Sequence, residues 1–371
     1  MLASQRQHRP YPQTAKRSCC RLPLGSSLPL MTVRRGPARH HRAAAIRLAA
    51  LALLAGVALE ACGQSRTATP APQEPPAAAA AATARPPIRL YPQVPAQPAA
   101  VARLLQEVET QLREPSTAEA DLPDLGHQQQ VIYRVLSRQP AAARQVLALL
   151  SPPWRSVAER HLKARQAFLA MGHGRRPADT APAWRIIPPA PAEQLLAHYR
   201  KAAKATGIAW EVLAAVNLVE TGMGRIDGVS VANAQGPMQF LPSTWAEAGI
   251  GQGNIRDPHD SIQAAARYLV RRGGLRDIRQ GLWGYNNSRH YGEAVLLYAS
   301  LLQDDPRAFK GLYHWEIHYQ SSAGDLWLPV GYSEPQRRPV QTYLQQHPRS
   351  RPPQGSDGIG FPSKARQKTT S

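Results

Sequence analysis

Cysteine is scarce in this chain, and so are long apolar runs. Three cysteines among 371 residues are too few for the disulfide framework that stabilises small secreted domains. The longest apolar stretch, Leu48 to Leu59, has about 12 residues, whereas a helix that crosses a bilayer needs roughly 20. His127, His161 and His173 are scattered along the sequence and lack the spacing of a metal site. We therefore expect solvated histidines and no metal.

Acidic residues are also few. The position of the excess positive charge along the chain matters more than its total. The chain has 25 Asp and Glu against 45 Lys and Arg, for a net charge of +20. Residues 1–62 and 334–371 together carry 14 of these 20 charges, so the middle of the chain has an ordinary charge balance. Basic tails favour contact with a polyanionic wall or membrane surface. We see no basic face interleaved with aromatic residues, and we predict no nucleic-acid binding.

The segment from Met31 to Cys62 has the layout of an export signal. Five arginines precede the apolar run, which ends in Leu59-Glu60-Ala61-Cys62. This ending resembles the lipobox of bacterial lipoproteins, although Glu60 stands where a small or apolar residue is usual. The resemblance implies lipidation of Cys62; the alternative is a plain cleaved signal with an incidental cysteine.

Composition divides the remaining chain into folded blocks and connecting segments. Residues rich in Pro and Ala bury too little apolar surface to fold, whereas apolar residues at helical spacing mark folded segments. The predicted organisation is an upstream extension (1–30), a signal peptide (31–62), a disordered linker (63–97), a helical domain (98–180), a second α-rich domain with a C-terminal hairpin (185–333) and a disordered basic tail (334–371). The 98–180 domain shows no catalytic constellation, and we expect it to brace its neighbour.

Glu220 is the strongest candidate for a chemical role. Ile208, Val212 and Val216 precede it at four-residue steps, which places all four on one helix face. Gly222 then ends the helix. A carboxyl group on a buried face loses water, and this loss favours its neutral form. Such a group donates a proton near neutral pH, although a glutamate at a frayed helix end is commonly exposed.

Three motifs follow in order: Asn217-Leu218-Val219-Glu220-Thr221-Gly222, then Ala234-Gln235-Gly236-Pro237-Met238-Gln239-Phe240-Leu241-Pro242-Ser243-Thr244-Trp245, then Gly284-Tyr285-Asn286. From Gln194 to Tyr298 the chain resembles the lytic transglycosylases of the soluble (SLT) and membrane-bound B-like kinds. These share a lysozyme-like fold with goose-type lysozyme. Pro237 and Gly284 depart mildly from the family pattern. The implied fold class is mainly α, with a lysozyme-like catalytic domain after a small helical domain and a short β-hairpin near the C-terminus.

The resemblance also implies roles for single residues. Glu220 matches the catalytic acid/base, and Met238 and Gln239 match positions that line the glycan cleft. Tyr285 and Asn286 match the pair that orients the carboxyl group and the N-acetyl group of the substrate. Ser230 lies near a loop serine that touches the sugar, but the loop length differs here.

The implied reaction cleaves the β-1,4 bond between N-acetylmuramic acid and N-acetylglucosamine and forms a 1,6-anhydro product. Such an enzyme is a carbon–oxygen lyase acting on a polysaccharide. Hydrolysis in the common schemes needs a second carboxylate. Asp227 is the nearest downstream acid, but Asp227-Gly228 is typical of a turn, and Asp257 and Asp260 are typical of a turn and a helix cap. The alternatives are a goose-type muramidase that uses an aspartate such as Asp227, and a wall-binding lipoprotein that holds glycan without cutting it.

We accordingly expect an exported, lipid-anchored protein of the cell envelope that faces the cell wall. Its expected partners are peptidoglycan glycan strands and, through the anchor, the membrane. We expect a monomer that needs no organic cofactor and no metal.

Overall fold

Helices dominate the part of the chain that the computed structural model describes, which comprises residues 89–172, 176–230 and 232–353. The helices are α1 (Pro98–Gln111), α2 (Leu122–Leu136), α3 (Pro140–Leu149), α4 (Pro152–Ala170), α5 (Ala192–Thr206), α6 (Trp210–Thr221), α7 (Pro242–Trp245), α8 (Pro258–Arg271), α9 (Ile278–Tyr285), α10 (Arg289–Asp304), α11 (Ala308–Tyr313) and α12 (Val340–Gln346). The predicted fold class, mainly α, is confirmed.

Six short strands form three antiparallel pairs in the described residues. The strands are β1 (Thr180–Ala181), β2 (Arg185–Ile186), β3 (Ile226–Asp227), β4 (Ile317–Ser321), β5 (Gly324–Leu328) and β6 (Arg338–Pro339). β4 and β5 form the predicted hairpin near the C-terminus, with Ile317 opposite Leu328. The other two pairs are β1 with β6 and β2 with β3.

Local sequence signals set the ends of several helices. Pro98, Pro140, Pro152 and Pro258 each stand in a first turn, where the missing N–H of proline costs nothing. The N-cap of α8 is Asp257, whose Oδ1 accepts from the Asp260 backbone N–H at 3.0 Å. The cap is therefore Asp257 rather than Asp260.

Helix α6 lies at the centre of the main hydrophobic core. All residues from Val212 to Thr221 are buried, because α5, α8 and α10 pack around this helix. Residues of α1 to α4 belong to the same core cluster as those of α5 to α10. The division into a 98–180 and a 185–333 domain stays a prediction.

The predicted disorder after residue 334 is wrong for residues 338–350. This stretch contains β6, α12 and a short 3-10 turn, Pro348–Ser350. Val340, Tyr343 and Leu344 are buried in a second apolar cluster with Ile186 and Leu326. Their spacing of three and four residues is that of a helix face, which the surrounding Pro, Arg and Gln obscured.

The end of the predicted linker is also ordered. Residues 89–97 lie against the folded part, since Arg89 pairs with Asp124 at 2.7 Å and contacts Glu316. Tyr91 is buried in a cluster with Trp327. An aromatic side chain within a Pro/Ala-rich stretch is enough to anchor it to the hairpin.

The expectation of solvated histidines is wrong for two of the three. His127 lies with its Nε2 3.0 Å from His318 Nε2, and His161 stacks on Tyr133 with ring centroids 4.2 Å apart. Both are buried because the helices that carry them pack against the hairpin and α10. His173 lies outside the described residues.

The upstream extension, the signal segment with Cys62, the linker up to residue 88 and the tail from residue 354 also lie outside the described residues. Among the helices that are described, none combines the length and apolar character needed to cross a membrane.

Candidate active site

The side chain of Glu220 is held in the last turn of α6. The residue is 0% exposed, as are Leu213 and Val216 on the same helix. α6 ends at Gly222, whose φ of 61° is left-handed and suits glycine. A Cβ at this position would lie 2.6 Å from Ile317 Cδ1, so glycine also lets the hairpin approach. The apolar face predicted from the sequence therefore buries the carboxyl group.

The Glu220 carboxyl group has one hydrogen bond. The Tyr291 hydroxyl donates to Oε1 at 2.8 Å, while Oε2 is buried without a hydrogen-bond partner in the described part of the chain. Burial raises the pKa of Glu220 well above that of an ordinary glutamate, and the Tyr291 hydrogen bond opposes this rise. A neutral carboxylic acid with one free oxygen is suited to proton donation.

The sequence did not identify Tyr291 as a functional residue. It lies in the first turn of α10 and is buried. With Val295 and Tyr298 it forms a helical i, i+4, i+7 pattern, which predicts only a core position. Its role becomes visible when α10 packs on α6 and the hydroxyl meets the carboxyl group.

A tight turn over Gly236–Gln239 forms the second part of the site. Gln235 and Phe240 exchange backbone hydrogen bonds of 2.8 and 2.9 Å, and Gln239 N–H donates to the Gly236 carbonyl at 3.0 Å. Gln239 has a φ of 51°, a conformation that costs energy in a residue with a side chain. The surrounding structure thus holds Gln239 in a strained conformation.

Polar side chains of α6 fasten this turn beside Glu220. The Pro237 carbonyl accepts from Asn217 Nδ2 at 2.8 Å and from Thr221 Oγ1 at 2.6 Å. Tyr199 donates to Asn217 Oδ1 at 2.6 Å and fixes the amide. The Asn and Thr of the first motif therefore connect the helix to the turn.

The remaining motif residues are linked to Glu220 through Tyr285. This tyrosine stacks on Tyr291, with ring centroids 6.2 Å apart and planes 4° apart. Its hydroxyl donates to the Met238 carbonyl at 2.7 Å, so the direct hydrogen bond to Glu220 comes from Tyr291 rather than from Tyr285. Gln239 follows Met238 and is also fully buried.

Two amide groups of the site keep unused hydrogen-bonding atoms. Gln239 Nε2 donates to the Gly236 carbonyl at 3.0 Å, but its Oε1 is buried without a partner among the described residues. Asn286 is 7% exposed, and its Nδ2 likewise has none. Unsatisfied buried amides are costly, so these atoms are candidates for contact with a polar ligand.

Ser230 has a structural place in the loop before the turn. Its Oγ accepts from the backbone N–H groups of Ala232 and Ala234 at 3.2 and 3.0 Å. Among the described residues, no hydrogen bond joins it to Glu220 or Gln239. A contact with the sugar stays a prediction.

Asp227 is engaged by two arginines. Arg185 Nε lies 3.0 Å from its Oδ2, and Arg256 lies 2.8 Å from its Oδ1. Both oxygens therefore have cationic partners, and in the described residues Glu220 makes no contact with a second acid.

One surface cluster in the described residues brings together atoms of the kind that ligate metals, from Asp257, His259 and Asp260. Asp257 caps α8, and Asp260 accepts from the Asn254 backbone N–H at 2.9 Å. These oxygens have structural partners, and within residues 89–172, 176–230 and 232–353 no hydrogen bond or ion pair connects the cluster to Glu220.

The helical fold, with Glu220 buried beside the strained Gln239 turn and the tyrosine pair, is consistent with a lysozyme-like domain. Residues 198–290, about a quarter of the chain, match the family model of the transglycosylase SLT domain. This match supports a domain of the lytic transglycosylase type that contains Glu220, the turn and Asn286. Tyr291 lies one residue beyond it. No curated protein and no solved structure matches the chain.

We expect Gly236→Ala to destabilise the domain strongly. Gly236 has a φ of 71°, and a Cβ there would lie 1.9 Å from the Ile255 carbonyl oxygen. The strain of alanine in a left-handed conformation and the steric overlap of its Cβ with the Ile255 backbone together should lower the free energy of unfolding by roughly 2–5 kcal/mol. Urea unfolding measures this loss. Gly249→Ala is the matched control, because φ is 75° there but the nearest atom is 3.7 Å away. Equal losses in the two variants would show that the close approach to Ile255 contributes nothing.

Proposed function

We propose that this protein is an exported peptidoglycan lytic transglycosylase. It cleaves the β-1,4 bond between N-acetylmuramic acid and N-acetylglucosamine and leaves a 1,6-anhydro-N-acetylmuramic acid end. The observation that carries the proposal is the wholly buried Glu220 carboxyl group, with Oε1 held by Tyr291 and Oε2 free. The match of residues 198–290 to the transglycosylase SLT domain supports it.

The first step needs a proton on the leaving oxygen. Burial raises the pKa of Glu220 and so favours its neutral form, and its proton can pass to the glycosidic oxygen from Oε2. The acetamido oxygen of the substrate then assists at the anomeric carbon, where another glycosidase would use a second carboxylate. In this proposal Asn286 Nδ2, which lacks a partner among the described residues, donates a hydrogen bond to that acetamido group.

The second step returns the proton. The Glu220 carboxylate accepts the proton of the 6-hydroxyl of the same sugar, while the 6-oxygen attacks the anomeric carbon and displaces the acetamido oxygen. The net reaction exchanges one C–O bond for another and consumes no water. The Tyr291 hydrogen bond supports the first step, because it favours the charged carboxylate that this step forms.

Access to the acid requires movement. Glu220 is 0% exposed, so a glycan strand reaches Oε2 only when covering residues shift. Opening and closing around the substrate would also exclude water, which favours ring closure over hydrolysis.

The competing muramidase function would use Asp227 to position water. The two arginines that bind Asp227 favour a structural role instead. We expect Asp227→Asn to keep the wild-type products and most of the activity on purified sacculi. The fragments, weighed by mass spectrometry, should end in anhydro sugars, each one water lighter than a reducing end. If the wild type instead releases fragments with reducing ends, and the Asp227→Asn variant does not release them, the protein is a muramidase.

The proposal includes a lipid anchor at Cys62 in the cell envelope, with the domain facing the wall. Its support is the sequence from Met31 to Cys62. Fatty-acid labelling of the wild type and Cys62→Ser tests it, and equal labelling of both would reject the anchor.

A further inference from the structure

Arg165, on α4, is a buried cation without an acidic partner. It is 6% exposed, and within the described residues it makes no ion pair and no hydrogen bond. Its Nε is buried and unsatisfied. The aromatic ring of Phe168 lies 5.4 Å from its guanidinium carbon.

Other buried arginines of the same region are matched by carboxylates. Arg134 donates to both oxygens of Asp325, and Arg113 pairs with Glu109. A buried charge without a counter-charge destabilises the folded state. Burial, with Arg134 nearby, lowers the pKa of Arg165 to about 9, which still leaves the guanidinium charged at neutral pH.

Arg165 lines a small cavity where α2, α4, α6 and α10 meet. Arg134, Tyr298 and Leu218 are among the other residues that line it. Its volume is about 20 Å³, which suits one occupant of about the size of a water molecule or a halide ion. The Tyr298 hydroxyl makes no hydrogen bond to the described residues, so a donor and a cation share this space.

We propose that this cavity binds a small monovalent anion of chloride size, held by the Arg165 guanidinium and the Tyr298 hydroxyl. Arg134 adds positive potential there, and Asp325 offsets part of it. Water would satisfy hydrogen bonds but would not compensate the charge, and the volume excludes larger carboxylates. The bound anion would stabilise the packing of α4 against α2 and α10.

The first test measures thermal unfolding of the full chain at constant ionic strength. Sodium gluconate is replaced stepwise by sodium chloride, because gluconate is too large for the cavity. We expect a saturable rise of the midpoint by roughly 2–4 °C, and a similar rise with bromide. Equal midpoints in gluconate and chloride would overturn the proposal.

The second test compares two substitutions on the same helix. Arg165→Met should lose the chloride-dependent rise, whereas Lys163→Met, which removes an exposed cation, should keep it. If both variants keep the rise, the effect belongs to the surface and the proposal is wrong. Should Arg165→Met fail to fold, bromide-soaked crystals of the wild type decide the question. An anomalous peak beside Arg165 supports the site, and its absence there contradicts it.

Discussion

Glu220→Gln should abolish cleavage of peptidoglycan while leaving the fold intact. The amide has the shape of the acid but cannot deliver a proton from Oε2 or take one back. General acid–base catalysis contributes roughly 10²–10⁴-fold to such reactions, and both steps depend on this one carboxyl group, so we expect a loss near the upper end. The measurement is the rate of release of soluble muropeptides from purified sacculi.

Stability provides the control for this variant. The pKa of Glu220 is raised in the folded state. At a pH between the ordinary glutamate pKa of about 4.3 and the raised pKa, the folded protein therefore binds more protons than the unfolded chain. The contribution of Glu220 to stability is therefore complete below that window and is lost as pH rises through it. Because glutamine does not titrate, the Glu220→Gln variant should not show this pH-dependent loss of stability. At neutral pH its thermal unfolding midpoint should equal or exceed that of the wild type. Wild-type turnover by a folded Glu220→Gln variant would reject the mechanism.

Tyr291→Phe should reduce activity without removing the acid. The Tyr291 hydroxyl donates the one hydrogen bond that Glu220 receives from the described residues, and it lowers the pKa of the carboxyl group against the effect of burial. Without it the pKa rises further, so the basic limb of the pH–rate profile should move to higher pH. The carboxylate that forms in the first step loses a stabilising bond of about 1–3 kcal/mol, which corresponds to a roughly 5- to 150-fold lower rate constant for proton donation.

Tyr343→Phe is the matched control for Tyr291→Phe. Tyr343 is also buried and has a hydroxyl contact of 2.8 Å, with Ser350, but it lies in the C-terminal cluster. This variant should lose stability without a change in the pH profile. A profile for Tyr291→Phe that superimposes on that of the wild type would mean that the hydroxyl does not tune Glu220.

The acid was predictable from sequence because its signal is local. Four-residue steps from Ile208 to Glu220 specify the buried face, and Gly222 specifies where the helix ends. The family motifs likewise indicated the strained turn, although its attachment through Asn217 and Thr221 to the Pro237 carbonyl was visible only in the structure. Patterns within one element were thus sufficient for the helix and the turn.

Contacts between distant elements were not predictable in this way. Tyr291 lies 71 residues after Glu220, and its pattern within α10 is that of any core tyrosine. His127 and His161 were predicted to be solvated because they lack the spacing of metal ligands, yet pairing with His318 and stacking on Tyr133 bury them. Arg165 gave no signal, since its lack of a partner is a property of four packed helices.

The most direct test of the central claim is the pKa of Glu220 itself. The protein can be labelled with ¹³C at its glutamate carboxyl carbons and titrated by NMR, with the Glu220 resonance assigned by its absence from Glu220→Gln. We predict a midpoint well above the ordinary glutamate value of about 4.3, with a further rise in Tyr291→Phe. A midpoint at or below the ordinary value would show that Glu220 is ionised at neutral pH, and the proposed acid catalysis would be contradicted.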